Sequence, residues 1–168
     1  LNPISTKAQS SQARLDSLFS ILQEENQIKG SVALLKHGKP FYFYSTENKS
    51  EPNPRYRIGS ISKTFTATLV LQAVEESKLS LEDKLSKWYP AIANAEEISI
   101  RMLLAHRSGI HNFTNDAAYM AILEKPQSKD DMLARFALME ADFAPNERME
   151  YSNTNYVLLS YILEDVYN

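Results

Sequence analysis

The chain has 168 residues, 43% hydrophobic and 23% charged, the balance of a globular domain large enough to bury a core. A net charge of −3 leaves no basic footprint for nucleic acid, and no apolar run approaches the roughly 20 residues needed for a membrane-spanning helix. Cysteine is absent, which excludes disulfides, thiolate metal sites and cysteine nucleophiles.

Residues 1–12, which begin at Leu1 rather than Met, are expected to form a mobile tail of a processed or trimmed product, not a signal peptide. Leu15, Leu18, Phe19 and Leu22 recur at helical spacing and predict a helix over about residues 8–28, closed by Gly30. "SVALLKHGKPFYFYS" is two β-rich runs around His37-Gly38, a hairpin signal. Residues 13–58 therefore form one region, a helix plus a hairpin, which runs out through the turn-rich "TENKSEPNPRYRIG" of residues 46–59. From Ser60 the pattern turns helical, with Ile61, Phe65, Leu69 and Ala73 on one stripe. "LSLEDKLSKWYP" reads as a short helix stopped by Pro90, and "ISIRMLLAHRSG" as another, capped by Ser99 and ended by Gly109. "SKDDMLARFALMEA" places Ser128 at a cap and Asp131 three residues later, like a capping box with Asp for Glu. A last helix, from about residue 154 to the end, carries Tyr156, Val157, Leu158, Leu159, Ile162 and Leu163 on several sides and is expected to be buried.

Residues 59–168 are thus a helical region, and the fold class is α+β. The hairpin poses a difficulty. Two strands alone are marginal in water, and their outer edges offer unpaired backbone groups. The sheet is expected to be completed by something outside these 168 residues.

The chemistry concentrates at "YRIGSISKTFTATLV", residues 56–70. Residues three apart share a helix face, so Ser60 and Lys63 can meet, whereas Ser62 and Lys63 cannot. At a helix start Ser60 lies near free backbone amides and the positive end of the dipole, and its own N–H can face an oxyanion. Lys63 can accept the hydroxyl proton only in its neutral form, which asks for a buried, shaped site. The plain alternative is that Ser60 is a helix N-cap. Downstream, Tyr151 and Asn153 of "YSN" supply a group that can relay a proton and an amide that can hold a substrate carbonyl. The plain reading of that triplet is a turn asparagine beside a core tyrosine. The three histidines are not paired at ligand spacing with carboxylates, so no metal and no cofactor are implied.

Together these segments resemble the serine β-lactamase and penicillin-binding-protein family, in the branch of class C β-lactamases, D-alanyl-D-alanine carboxypeptidases and related esterases. "GSVALLKHGKPFY" is similar to that family's first hairpin, and "YRIGSISKTFTATLVLQAVEESKLSLEDKLSKWYP" to its nucleophile helix with the segment after it. "ISIRMLLAHRSGI" and "FAPNERMEYSNTNYVLLSYILE" resemble its HxSG and YSN stretches, in the same order. The resemblance implies Ser60 as acylated nucleophile, Lys63 as general base or proton shuttle, Tyr151 as base or acid for the leaving group and attacking water, and Asn153 as substrate-amide ligand. His106 and Gly109 match a structural stretch of that family. The implied substrate is a small molecule or peptide of D-amino-acid character, and the implied setting is extracytoplasmic.

Two departures stand out. The family's Pro-Gly before the tyrosine loop is Pro145-Asn146 here, and Asn tolerates positive φ. The third motif, Lys or His, then Thr or Ser, then Gly, has no counterpart on a strand; "RSG" at 107–109 ends a segment already assigned. The chain thus resembles the N-terminal half of a β-lactamase/transpeptidase-like fold, lacking the remaining strands and one oxyanion donor. Losing such a donor costs about 10²–10³ in rate. The expectation is a serine hydrolase whose 168 residues alone are inactive and whose sheet is completed by a second polypeptide. The alternative is a non-catalytic module binding peptidoglycan peptides or a protein.

Overall fold

A computed structural model of the chain describes residues 11–46, 55–123 and 125–168. The expected tail over 1–12 lies almost wholly outside the described residues, as does most of the loop after the hairpin. The chain divides into two units, Leu1–Arg57 and Ile58–Asn168.

In the first unit, helix α1 (Ser11–Glu24) precedes strands β1 (Ser31–Lys36) and β2 (Lys39–Ser45). The strands pair antiparallel, Ser31 opposite Ser45 and Lys36 opposite Lys39. His37 and Gly38 form the two-residue loop with φ of 52° and 73°, the doubly left-handed turn that matches strand twist. The register slips between Leu34 and Leu35, opposite Pro40, where a residue without an N–H fits a bulge. Phe19 of α1 stacks on Tyr42 and Tyr44 at centroid distances of 5.7 and 5.2 Å, and Tyr42 donates to Asp16 at 2.9 Å. Among the described residues the sheet has these two strands.

The second unit begins with a 3₁₀ turn (Gly59–Ile61) and continues through α2 (Ser62–Glu75), α3 (Ile100–Leu104), α4 (Tyr119–Ile122), α5 (Lys129–Ala137) and α6 (Asn153–Tyr167). Its core joins Val70 and Ala73 of α2, Ile100 and Leu103 of α3, Phe136 of α5 and Leu158, Leu159 and Ile162 of α6, all fully buried. Each such side chain larger than alanine contributes about 1.5–3 kcal/mol by leaving water. The heavily apolar α6 is buried, as its sequence predicts. Ser99 and Ser128 cap α3 and α5, accepting from the N–H groups of Met102 and Asp131. Asp131 does not reach back to a backbone N–H, however; its carboxylate accepts the Ser128 hydroxyl at 2.6 Å.

Several expectations are corrected. Of the stripe along α2, Ala73 is buried, whereas Ile61, Phe65 and Leu69 are 62%, 62% and 49% exposed, and Val70, off the stripe, is the other buried residue of the helix. "LSLEDKLSKWYP" is not an α-helix and forms only a 3₁₀ turn at Leu85–Lys87. Ser80 and Asp83 side chains bond local N–H groups, and Lys84 bridges Ser99, so the backbone is committed to turn and bridge. α1 ends at Glu24, four residues short of the expected 28, and Gly30 does not terminate it. The ends of α1, α2 and α3 are closed by Asn26, Ser77 and His106, with φ of 54°, 57° and 55°. In each the next residue donates to the carbonyl five back: Gln27 to Leu22, Lys78 to Ala73, Arg107 to Met102. This is the left-handed helix stop usually made by glycine.

Candidate active site

The stop at His106 and the start of α6 build the site. The turn at Gly59, with φ of 52°, brings Ser60 onto the 3₁₀ turn ahead of α2. Ser60 makes no capping bond to α2, so the plain N-cap reading does not describe it. Its Oγ lies 2.9 Å from the Tyr151 hydroxyl, and Lys63 Nζ donates to it at 3.4 Å. Lys63 Nζ also donates to Asn153 Oδ1 at 2.7 Å and sits 5.0 Å from the Tyr151 ring centroid. The structure therefore brings all four sequence-derived residues, Ser60, Lys63, Tyr151 and Asn153, into one cluster.

Tyr151 is held from behind. His106 lies against its ring at 4.6 Å and against Tyr156 at 5.1 Å. The His106 carbonyl accepts the Glu150 N–H at 2.9 Å, and its Nδ1 accepts the Ser152 N–H at 3.2 Å. Nδ1 accepts a backbone N–H and so carries no proton in this arrangement, and burial, then the nearby Lys63 charge, lower the His106 pKa. At Tyr151 burial acts to raise the phenol pKa. Hydrogen bonding to Lys63 and Ser60, with the Lys63 charge, outweighs it and holds the phenol below its ordinary 10.0. A tyrosine so placed ionises more readily than free tyrosine, and its phenolate is the form that can receive the Ser60 proton.

Asn153 is anchored on three sides. Its backbone N–H donates to Asn112 Oδ1 at 3.0 Å, its Nδ2 donates to Thr114 Oγ1 at 2.9 Å, and its Oδ1 faces Lys63. The sequence reading did not single out Asn112 or Thr114; "HNFTND" carries no periodicity or spacing that marks them. Asn146 adopts φ of 67°, as expected of the residue replacing glycine, and Arg107 grips its side chain and carbonyl at 2.7 and 2.6 Å. Arg107 is thereby spent on the tyrosine loop, and "RSG" is not a strand motif. Gly109 is required sterically: a Cβ there would lie 2.0 Å from the Phe143 carbonyl oxygen.

His111 sits between two carboxylates that sequence spacing did not mark. Its Nδ1 is 2.8 Å from Asp142 and its Nε2 3.1 Å from Asp116. The Asp142 hydrogen bond, then the weaker bond to Asp116, outweighs burial and raises its pKa. The carboxylates take opposite ring nitrogens, and among the described residues no His/Asp/Glu cluster could hold a metal ion.

Ser60, Lys63, Thr66, Phe113, Asn153 and Tyr156 are among the residues lining a groove of about 550 Å³. The expectation of a buried site is not met within the described residues: Ser60 is exposed, Tyr151 is 45% exposed and Lys63 is half-buried.

A solved D-stereospecific amidohydrolase from Streptomyces sp. superimposes with a TM-score of 0.72 at 33% identity, over 83% of this chain and 45% of that one. D-amino acid amidase from Ochrobactrum anthropi gives 0.67 at 25% identity, over 90% and 44%. Penicillin-binding protein 4* of Bacillus subtilis is 33% identical over 169 residues, 93% of this chain and 36% of that protein, so the chain spans little more than a third of the relative's length. The family model described as Beta-lactamase matches residues 15–168, and the chain belongs to the β-lactamase family.

Proposed function

We propose that the chain carries the nucleophile half of a serine hydrolase that works through an acyl-enzyme on amides or esters of D-amino-acid character, including β-lactams. The observation that carries this reading is the convergence of Ser60 Oγ on Tyr151 Oη at 2.9 Å, with Lys63 beside both. Ser60 Oγ attacks the acyl carbon while its proton passes to the ionised Tyr151 oxygen, and the tetrahedral adduct expels the amine or alcohol as Tyr151 gives it that proton and becomes phenolate again. Water then attacks the ester, again giving its proton to Tyr151, and Ser60 Oγ leaves protonated. Lys63 stabilises the negative charge that Tyr151 and Ser60 develop in turn. The names of the amidohydrolase and amidase neighbours support the substrate class.

The open groove, and a match that covers 36% of penicillin-binding protein 4*, support a second element of the proposal. The site becomes competent when another polypeptide supplies the remaining wall, and the setting is extracytoplasmic. No helix of the described residues is long and apolar enough to cross a membrane. The test is covalent labelling with a fluorescent penicillin or an activated ester. The chain alone should label little. Adding the C-terminal part of penicillin-binding protein 4* beyond the matched region should raise labelling, and Ser60→Ala should abolish it. No gain on mixing removes the completion proposal, and label persisting in Ser60→Ala removes the nucleophile. Saturable binding without label would favour the non-catalytic module.

A further inference from the structure

The orientation of the Asn153 amide follows from one unambiguous donor, its own backbone N–H. That N–H donates to Asn112 at 3.0 Å, so Asn112 must present its oxygen. Asn112 Nδ2 points the other way and donates to Asn115 Oδ1 at 3.0 Å. Thr114 Oγ1 lies 3.0 Å from the same Asn112 oxygen, an acceptor only, so the threonine proton is spent there. Thr114 can then only accept from Asn153, at 2.9 Å, and the partner must be Nδ2. The carbonyl end of the Asn153 amide is thereby left for Lys63, at 2.7 Å. The three residues close a ring of directed bonds, and Asn112 is buried.

We infer that Thr114 is a positioning residue: its hydroxyl fixes which end of the Asn153 amide faces Lys63, and so holds the lysine as a donor beside Tyr151 and Ser60. An amide turned the other way would set N–H against ammonium, and Lys63 would lose its closest acceptor. Thr114 thus acts through Asn153 rather than on a reacting atom. The consequence for catalysis rests on the acyl-transfer reading; the bond directions do not, and the experiment reads bonds, so it can fail while acylation of Ser60 stands.

In the unaltered chain, NMR cross-peaks from the Asn153 Nδ2 protons should run to the Thr114 methyl and not to the Lys63 ε-methylene. Thr114→Val, which keeps the shape and removes the hydroxyl, should abolish that pattern. It should also move ionisation of ¹³Cζ-labelled Tyr151 back toward the ordinary tyrosine range, and Thr114→Ser should restore both signals. Cross-peaks from Nδ2 to Lys63 in the unaltered chain would overturn the inference without any variant. So would a folded Thr114→Val chain whose Asn153 amide and Tyr151 signals are unchanged, or a Ser variant that behaves like Val.

Discussion

Gly109→Ala should be the most damaging single-methyl change in the second unit, and its cost can be worked from geometry. Gly109 has φ of 77°, a region that costs a residue with a Cβ about 1–2 kcal/mol. The added Cβ would meet the Phe143 carbonyl oxygen at 2.0 Å, whereas carbon–oxygen contacts settle near about 3.3 Å. The carbonyl would have to retreat by more than about 1 Å. It cannot do so freely, because Asp142 N–H donates to the Gly109 carbonyl at 2.9 Å and Ile110 bridges Ala141. Breaking that bridge costs about 1 kcal/mol, and the overpacking about 1–3 kcal/mol more, for a total of about 3–6 kcal/mol. Gly59→Ala is the control: φ is 52°, but nothing lies within 4 Å of the new methyl, so about 1 kcal/mol is expected from backbone strain. Urea unfolding of both variants measures the difference. Equal costs within about 0.5 kcal/mol would show that the Phe143 contact does not constrain the loop.

Asn146→Ala should cost about 1–2 kcal/mol in the same assay, because it places a Cβ residue without the Arg107 partner at φ of 67°, while Asn146→Gly should cost less. His111 has a raised folded-state pKa, so its clamp contributes fully below the ordinary imidazole value of 6.5 and is lost as pH rises through the higher folded value. The urea midpoint should therefore fall as pH rises above the ordinary 6.5, and the His111 part of that fall should vanish in Asp142→Asn; an unchanged pH profile in that variant would remove the clamp. Leu158→Ala, at a fully buried position of α6, should lower stability by about 2–5 kcal/mol, and a cost under about 1 kcal/mol would contradict its place in the core.

The parts legible in the sequence were those with a local signature. His37-Gly38 marked the hairpin, Ser99 and Ser128 marked two helix starts, and the many-sided apolar pattern of α6 marked its burial. The helix stops were not legible, because Asn26, Ser77 and His106 take a backbone conformation for which the eye looks for glycine. The stripe on α2 shows a period but not a side: of its residues Ala73 is buried, Ile61, Phe65 and Leu69 are exposed, and Val70, off the stripe, also meets the core. Of the site, motif order pointed to Ser60, Lys63, Tyr151 and Asn153, which the structure brings into one cluster. The groups behind them, His106, Asn112 and Thr114, act through contacts across 40 or so positions of sequence, which spacing cannot reveal.

The most direct measurement is the ionisation of Tyr151, followed by ¹³Cζ-tyrosine NMR in the chain and assigned with Tyr151→Phe. A phenol bonded to Ser60 and supported by Lys63 should ionise below the ordinary 10.0 and return upward in Lys63→Met. A phenol that ionises at or above 10.0 and ignores the loss of Lys63 would contradict the assembled serine, lysine and tyrosine on which the acyl-transfer mechanism depends.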